Sequence, residues 1–255
     1  MNIAIVTGAS SGMGREAAKQ LDKIFTDKID EIWLIARRGE RLRELSELMN
    51  HSTRILTLDL LEEKDLAEFE LALNLASPNV KMLVNAAGFG VIGSFAGSYI
   101  KEQKDMVELN CQALMRVTYS TLEYMEKGAR IVQFASAAAF LPQPGFAVYA
   151  ASKSFVYSFS KALNMELKEK GISVTAVCPG PVSTEFFTIA EKNEKTPFIK
   201  KWFMADAQKV VQKALYDSYK RRSISVYSLS MNIFRWFAKI YPDDLVMKLF
   251  CIFKK

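Results

Sequence analysis

Residues 2–14 run Asn2-Ile3-Ala4-Ile5-Val6-Thr7-Gly8-Ala9-Ser10-Ser11-Gly12-Met13-Gly14, and an amphipathic stretch near 13–25 follows at once. The apolar run Ile3 to Val6 has the form of a strand buried on both faces, as in a parallel sheet. The glycines permit a tight turn and a close backbone approach, while free N–H groups and the helix dipole favour an anion there. A purely structural strand-to-helix turn shares part of this pattern. Strand, spacing and helix together favour a turn that holds a pyrophosphate.

The same alternation continues along the chain. Strands are predicted over 2–7, 31–36, 53–57, 81–85, 130–135, 173–178 and 223–227. Helices are predicted near 13–25, 40–49, 62–75, 101–127, 148–169 and 206–221. Right-handed crossovers then give an α/β fold: a Rossmann-type, doubly wound, seven-stranded parallel sheet with helices on both faces. Ligands of such sheets sit outside the C-terminal strand ends at the switch point. Residues 1–230 form one catalytic domain in this reading, and 231–255 a C-terminal helical extension. The stretch 182–205, with Phe186, Phe187, Phe198, Trp202 and Phe203, is long enough to act as a lid.

Composition removes several alternatives. Three separated cysteines without a CxxC pair argue against a disulfide framework and a zinc cluster, and one histidine, His51, cannot build a His-rich metal site. His51 is expected at the surface. The amino terminus shows no basic n-region or cleavage site and no apolar window of about 18 residues occurs, so a cytoplasmic protein without a membrane span is expected. The net charge of +6 is uneven: residues 191–255 carry 14 Lys and Arg against 6 Asp and Glu, and the rest 20 against 22. That excess fits either a solvated basic face or docking on an anionic membrane or acidic partner. Nucleic-acid binding has only this charge in its favour and is not expected.

Several strand ends carry candidate cofactor residues. Ile35-Ala36-Arg37-Arg38 places no carboxylate where an NAD site would hold the ribose 2′-hydroxyl. A guanidinium takes a 2′-phosphate with paired, charge-assisted bonds, so Arg37, with Ser10, points to NADP(H). Arg38 either stacks on adenine or faces water. Asp59, followed by Leu60, either accepts from the adenine amino group or caps the next helix. Asn85-Ala86-Ala87-Gly88 passes close to the cofactor, and Asn85 can hold strand ends together.

Tyr149 and Lys153 lie four apart on a predicted helix and so share a face. A neighbouring ammonium favours the phenolate and lowers a tyrosine pKa from about 10. Ser136, at the end of the fifth strand, can hydrogen-bond a substrate carbonyl beside Tyr149. Asn110 is a poor helix former inside a long predicted helix, which a buried role for its amide would explain.

Together these residues, in this order and with Pro179-Gly180, resemble the short-chain dehydrogenase/reductase family over nearly the whole chain. The resemblance implies a catalytic tetrad of Asn110, Ser136, Tyr149 and Lys153. Tyr149 would exchange a proton with the substrate oxygen, Lys153 would lower its pKa and bind the nicotinamide ribose, Ser136 would position the oxygen, and Asn110 would hold a relay water. Pro179, Gly180, Val182 and Thr184 would line the nicotinamide.

The substrate wall is expected from Phe89, Val91, Phe140, Leu141, Gln143 and Phe146, closed by the aromatic lid with Phe186. Such a wall favours a lipophilic ketone or alcohol, such as a hydroxysteroid. A 3-oxoacyl-thioester reductase and a catalytically silent NADP-binding scaffold are the competing functions. Two apolar tail helices, 231–241 and 245–253, form a flap over the substrate mouth, a subunit interface of a dimer or tetramer, or a monotopic membrane anchor.

Overall fold

The structure is a computed structural model and describes residues 1–24, 29–190, 204–242 and 247. Seven parallel strands form one sheet: β1 (Asn2–Thr7), β2 (Glu31–Ile35), β3 (Ser52–Leu56), β4 (Asn79–Asn85), β5 (Arg130–Phe134), β6 (Ser173–Val177) and β7 (Ile224–Ser225). Their order is β3-β2-β1-β4-β5-β6-β7, so the winding reverses between β1 and β4. Alternation along β1 feeds two cores, because successive side chains point to opposite faces. Ala4 and Val6 pack with Leu21, Leu42 and Val211, from α1 (Gly12–Ile24), α2 (Gly39–Ser46) and α8 (Ala207–Tyr219). Ile3 and Ile5 pack on the other face with Phe69, Val117 and Leu163, from α3 (Glu63–Ala76), α5 (Leu114–Leu122) and α6 (Ala147–Glu166). The predicted doubly wound sheet is therefore the observed fold.

Local departures have physical causes. The long helix predicted over 101–127 is α4 (Ile100–Val107), a π-helical turn over Glu108–Ala113, and then α5. The extra residue of that turn points Asn110 into the interior, where it is fully buried. His51 is not a surface residue. Its side chain is 9% exposed, and its Nδ1 lies 2.8 Å from Oδ1 of Asp22, a carboxylate that also accepts from the N–H groups of Asn50 and His51. Burial of Asp22 demands these partners.

The predicted lid has a closed base: Val182 and Ala205 form a parallel bridge, with Ser183 N–H on the Ala205 carbonyl at 3.0 Å. Among its described residues stands the short helix α7 (Phe186–Ala190). Phe198, Trp202 and Phe203 lie outside the described residues, as does the tail helix expected over 245–253 apart from Met247. The first tail helix is α9 (Leu229–Ile240), which starts two residues early because Ser228 caps it, its hydroxyl accepting from Met231 N–H. No helix among the described residues is long and apolar enough to cross a membrane.

One side chain ties the two strands at the switch point. The Thr7 hydroxyl accepts from the N–H groups of Ala86 and Ala87 at 3.1 and 3.2 Å and reaches Asn85 Oδ1 at 3.5 Å. Thr7→Val keeps the shape and removes that acceptor. It is expected to cost about 1–2 kcal/mol in a urea unfolding curve, for two partly buried N–H groups left unpaired. An unchanged midpoint would show that the hydroxyl is dispensable.

Candidate active site

The glycine turn sits where β1 and β4 end. Gly8 has φ +69°, and a Cβ there would lie 2.8 Å from the Ala87 nitrogen. A Cβ on Gly14 would run into the Gly8 carbonyl. Only hydrogen at both positions lets α1 start this close to the strand ends, with its first N–H groups open to a phosphate. This backbone cradle fits the pyrophosphate of a dinucleotide.

At the outer end of the cradle the two arginines are placed differently from one another. Arg38, and not Arg37, covers the turn: its Nε donates to Ser10 Oγ at 3.2 Å and its Nη2 to Ser11 Oγ at 2.7 Å. Arg37 is 64% exposed and stands 3.6 Å from Asp59 Oδ2. The reason is local: Arg38 is the last residue before α2, where the chain turns back over Ser10. Arg38 also donates to Glu185 at 2.9 Å, and Arg41 pairs with the other oxygen of that carboxylate. These two guanidinium bonds hold the Glu185 carboxyl below its usual range. Asp59 accepts from Leu61 N–H through its side chain and lines the cleft, whereas α3 is capped at Glu62, so the helix-cap alternative for Asp59 is not realised.

At the inner end, Tyr149 and Lys153 project from one face of α6. The Tyr149 ring stacks on Phe146 with centroids 4.2 Å apart and meets Phe186 at 5.4 Å. Lys153 Nζ donates to the Phe134 carbonyl at 2.8 Å and lies 5.7 Å from the Tyr149 ring centroid. Ser136 follows β5, accepts from Ala138 N–H at 3.1 Å and hydrogen-bonds the Tyr149 phenol. The tyrosine departs from expectation. Burial pushes it up to about 12, against the lowering effect of Ser136. The same burial brings Lys153 down to about 8, opposed by the Cys111 and Cys178 thiols. Desolvation therefore outweighs the Ser136 hydrogen bond, and the phenol stays protonated at neutral pH.

Asn110 is clamped rather than open. Its Oδ1 accepts from Phe89 N–H at 3.1 Å, and its Nδ2 donates to the Phe89 carbonyl at 2.9 Å and to Ser152 Oγ at 3.0 Å. It holds the Gly88-Phe89 backbone beside Lys153, and a Cβ on Gly88 would meet both side chains.

A single cleft of about 560 Å³ joins the two ends. Gly8, Ser10, Ser11, Gly12, Met13, Gly14, Arg37, Arg38, Asp59, Leu60, Ala86, Ala87, Gly88, Pro179, Gly180, Val182 and Thr184 line it, with Ser136, Tyr149 and Lys153. Phe89, Gln143, Phe146 and Phe186 form the wall at the inner end. Five expected residues, Asn85, Val91, Asn110, Phe140 and Leu141, do not line the cleft. Asn85 is buried behind it on Thr118, Asn110 is buried behind Phe89, and Phe140 turns away to meet Tyr157 edge-on at 5.6 Å. Val91 and Leu141 are buried core.

Glu185, Leu109, Met231 and Phe234 line the cleft without having been named as site residues, and Phe187, named with the 182–205 stretch, lines it as well. Met231 and Phe234 come from the first tail helix, α9, for which a place over the substrate mouth was one of three expectations. Gly90 was also missed. A Cβ there would lie 2.8 Å from both the Phe146 and Tyr149 rings and 2.9 Å from Phe186, so its missing side chain is what admits the aromatic stack.

Residues 2–195 match the family described as short chain dehydrogenase. Sulfoacetaldehyde reductase 2 of Chromohalobacter salexigens is 37% identical over 191 residues, covering 72% of this chain and 74% of that protein. A short-chain dehydrogenase from Sphingobium yanoikuyae, solved in complex with NADPH, shares 27% identity at a TM-score of 0.80, over 98% of this chain and 96% of its own. The bulky-bulky ketone specific alcohol dehydrogenase from Comamonas testosteroni shares 26% identity at a TM-score of 0.74, over 98% and 94%. The chain belongs to the short-chain dehydrogenase/reductase family. It is an oxidoreductase that uses a nicotinamide cofactor.

Gly90→Ala tests the placement of the tyrosine. Overpacking is expected to cost about 1–3 kcal/mol of stability. Displacement of the Tyr149 ring should lower kcat by about tenfold or more, measured at a temperature where the variant remains folded. An unchanged kcat would mean that the stack tolerates the methyl group.

Proposed function

We propose that this enzyme interconverts a ketone and a secondary alcohol on a lipophilic substrate of about hydroxysteroid size, with NADP(H) as cofactor. The observation that carries the proposal is the asymmetry of the cleft. Beyond Tyr149 and Lys153, the described inner wall consists of Phe89, Gln143, Phe146, Phe186, Phe187, Met231 and Phe234. Among the described residues, every ionic side chain of the cleft other than Lys153 gathers at the outer end, where Glu185 is turned onto Arg38 and Arg41. A wall of this kind suits a bulky apolar substrate with one polar handle. A small sulfonate, as the name of the Chromohalobacter relative implies for that protein, would find no cation on the described inner wall apart from Lys153.

The proposed chemistry follows from the protonation states. In reduction the Tyr149 phenol donates its proton to the carbonyl oxygen, which Ser136 Oγ holds by a second hydrogen bond. Lys153, fixed by the Phe134 carbonyl, stabilises the phenolate left behind. The nicotinamide supplies the hydride that goes to the carbonyl carbon, and oxidation reverses both transfers. Asn110 acts as a positioning residue through the Phe89 backbone. Preference for NADP(H) is supported by Arg38 with Ser10 and Ser11, by Arg37 beside Asp59, and by Ala36 in place of a carboxylate.

Three outcomes follow. Tyr149→Phe should lose at least about 10²-fold in kcat while NADPH still binds, followed by fluorescence; near-normal turnover would refute the mechanism. Arg38→Asp should move cofactor preference towards NADH by more than Arg37→Asp does, judged by the ratio of kcat/KM values. An unchanged ratio in both variants would remove the 2′-phosphate assignment. Finally, Lys153 carries its charge below about pH 8 and loses it above, whereas Tyr149 stays protonated up to about 12. Ketone reduction should thus be level below about pH 8 and fall above it. A profile still level at pH ~10 would contradict the assigned role of the Lys153 charge.

A further inference from the structure

Helix α9 presents two apolar faces, and the cleft uses one of them. Met231 and Phe234 line the cleft, and Ala238 is buried on the same side. At 3.6 residues per turn the opposite side carries Leu229, Ile233, Trp236 and Ile240 within an arc of about 60°. These four are 76%, 60%, 58% and 69% exposed. No acidic residue occurs in α9, and Arg235 and Lys239 follow one another along the flank of the stripe. Residues 191–255 as a whole carry 14 Lys and Arg against 6 Asp and Glu.

We infer that the outer face of α9 docks on an anionic lipid surface. The helix would lie in the interfacial plane, its apolar stripe among the upper acyl chains and Arg235 and Lys239 among the headgroups. Trp236 at the centre of the stripe suits that boundary, because an indole has an apolar body and one polar N–H. A second protein copy is the weaker occupant. One stripe on a helix about 18 Å long falls well short of the roughly 800 Å² per partner that stable protein interfaces bury. The other face of the same helix lines the substrate end, so docking would set that end of the cleft beside the bilayer. The inference stands whatever the substrate is, since its test reads lipid binding and not turnover.

The full chain is mixed with vesicles of phosphatidylcholine alone, or containing about 30% phosphatidylserine, at ionic strength near 0.1 M. Bound protein is measured by sedimentation and by the emission of Trp236, with Trp236→Phe as the reference. The docking model requires sedimentation with the anionic vesicles and a blue shift that the reference lacks. It also requires at least tenfold weaker binding for Ile233→Asp/Trp236→Asp and for Arg235→Glu/Lys239→Glu, each shown to be folded by circular dichroism and thermal melting.

Four results would overturn it. The wild-type chain fails to sediment with anionic vesicles. The Ile233→Asp/Trp236→Asp variant binds as well as wild type. That variant splits a wild-type dimer, so that a second copy holds the face. Or binding emerges only after residues 243–255 are removed, so that the chain's own tail occupies the stripe.

Discussion

The site depends on one close approach, that of the β1 turn to the end of β4. Gly8 touches the Ala86-Ala87 backbone so tightly that no Cβ fits, and Thr7 bonds the same two residues from within the sheet. This contact places the start of α1 against the switch point. It also sets Gly88 and Phe89 where Asn110 can clamp them, one residue before Gly90 makes room for Tyr149. A change at the glycine turn would therefore propagate to the reacting end through backbone alone.

Burial is the second organising force. Around Tyr149 and Lys153 the described residues supply an aromatic stack, the Ser136 hydroxyl and a backbone carbonyl, and desolvation is the largest influence on both protonation states. The phenol is held as a donor and the ammonium near the point of losing its charge. A pair poised in this way responds strongly to any charge brought into the cleft, because a low-dielectric site magnifies it.

The two ends of the cleft are mechanically linked as well. Glu185 joins the β2–α2 connection through Arg38 and Arg41, and the next residue, Phe186, lies on the Tyr149 ring. Thr184, just before it, stands opposite the glycine turn, where a Cβ added to Gly12 would meet its side chain at 3.5 Å. The Glu185-Phe186 segment thus touches the outer end of the cleft on one side and Tyr149 on the other.

The sequence by itself determined the sheet, the winding and the principal site residues, because these depend on local patterns: buried strands, a glycine turn, and Tyr149 and Lys153 one turn apart. Tertiary structure decided what depends on contacts across the chain. It laid Arg38 over Ser10 and Ser11 and set Arg37 beside Asp59, buried His51 on Asp22, sent Phe140 to Tyr157, and brought Met231 and Phe234 of α9 to the cleft. It also reversed the expected direction of the Tyr149 pKa. The spacing of a tyrosine and a lysine specifies that they are neighbours; only the fold decides how much water they lose, and desolvation here is the larger effect.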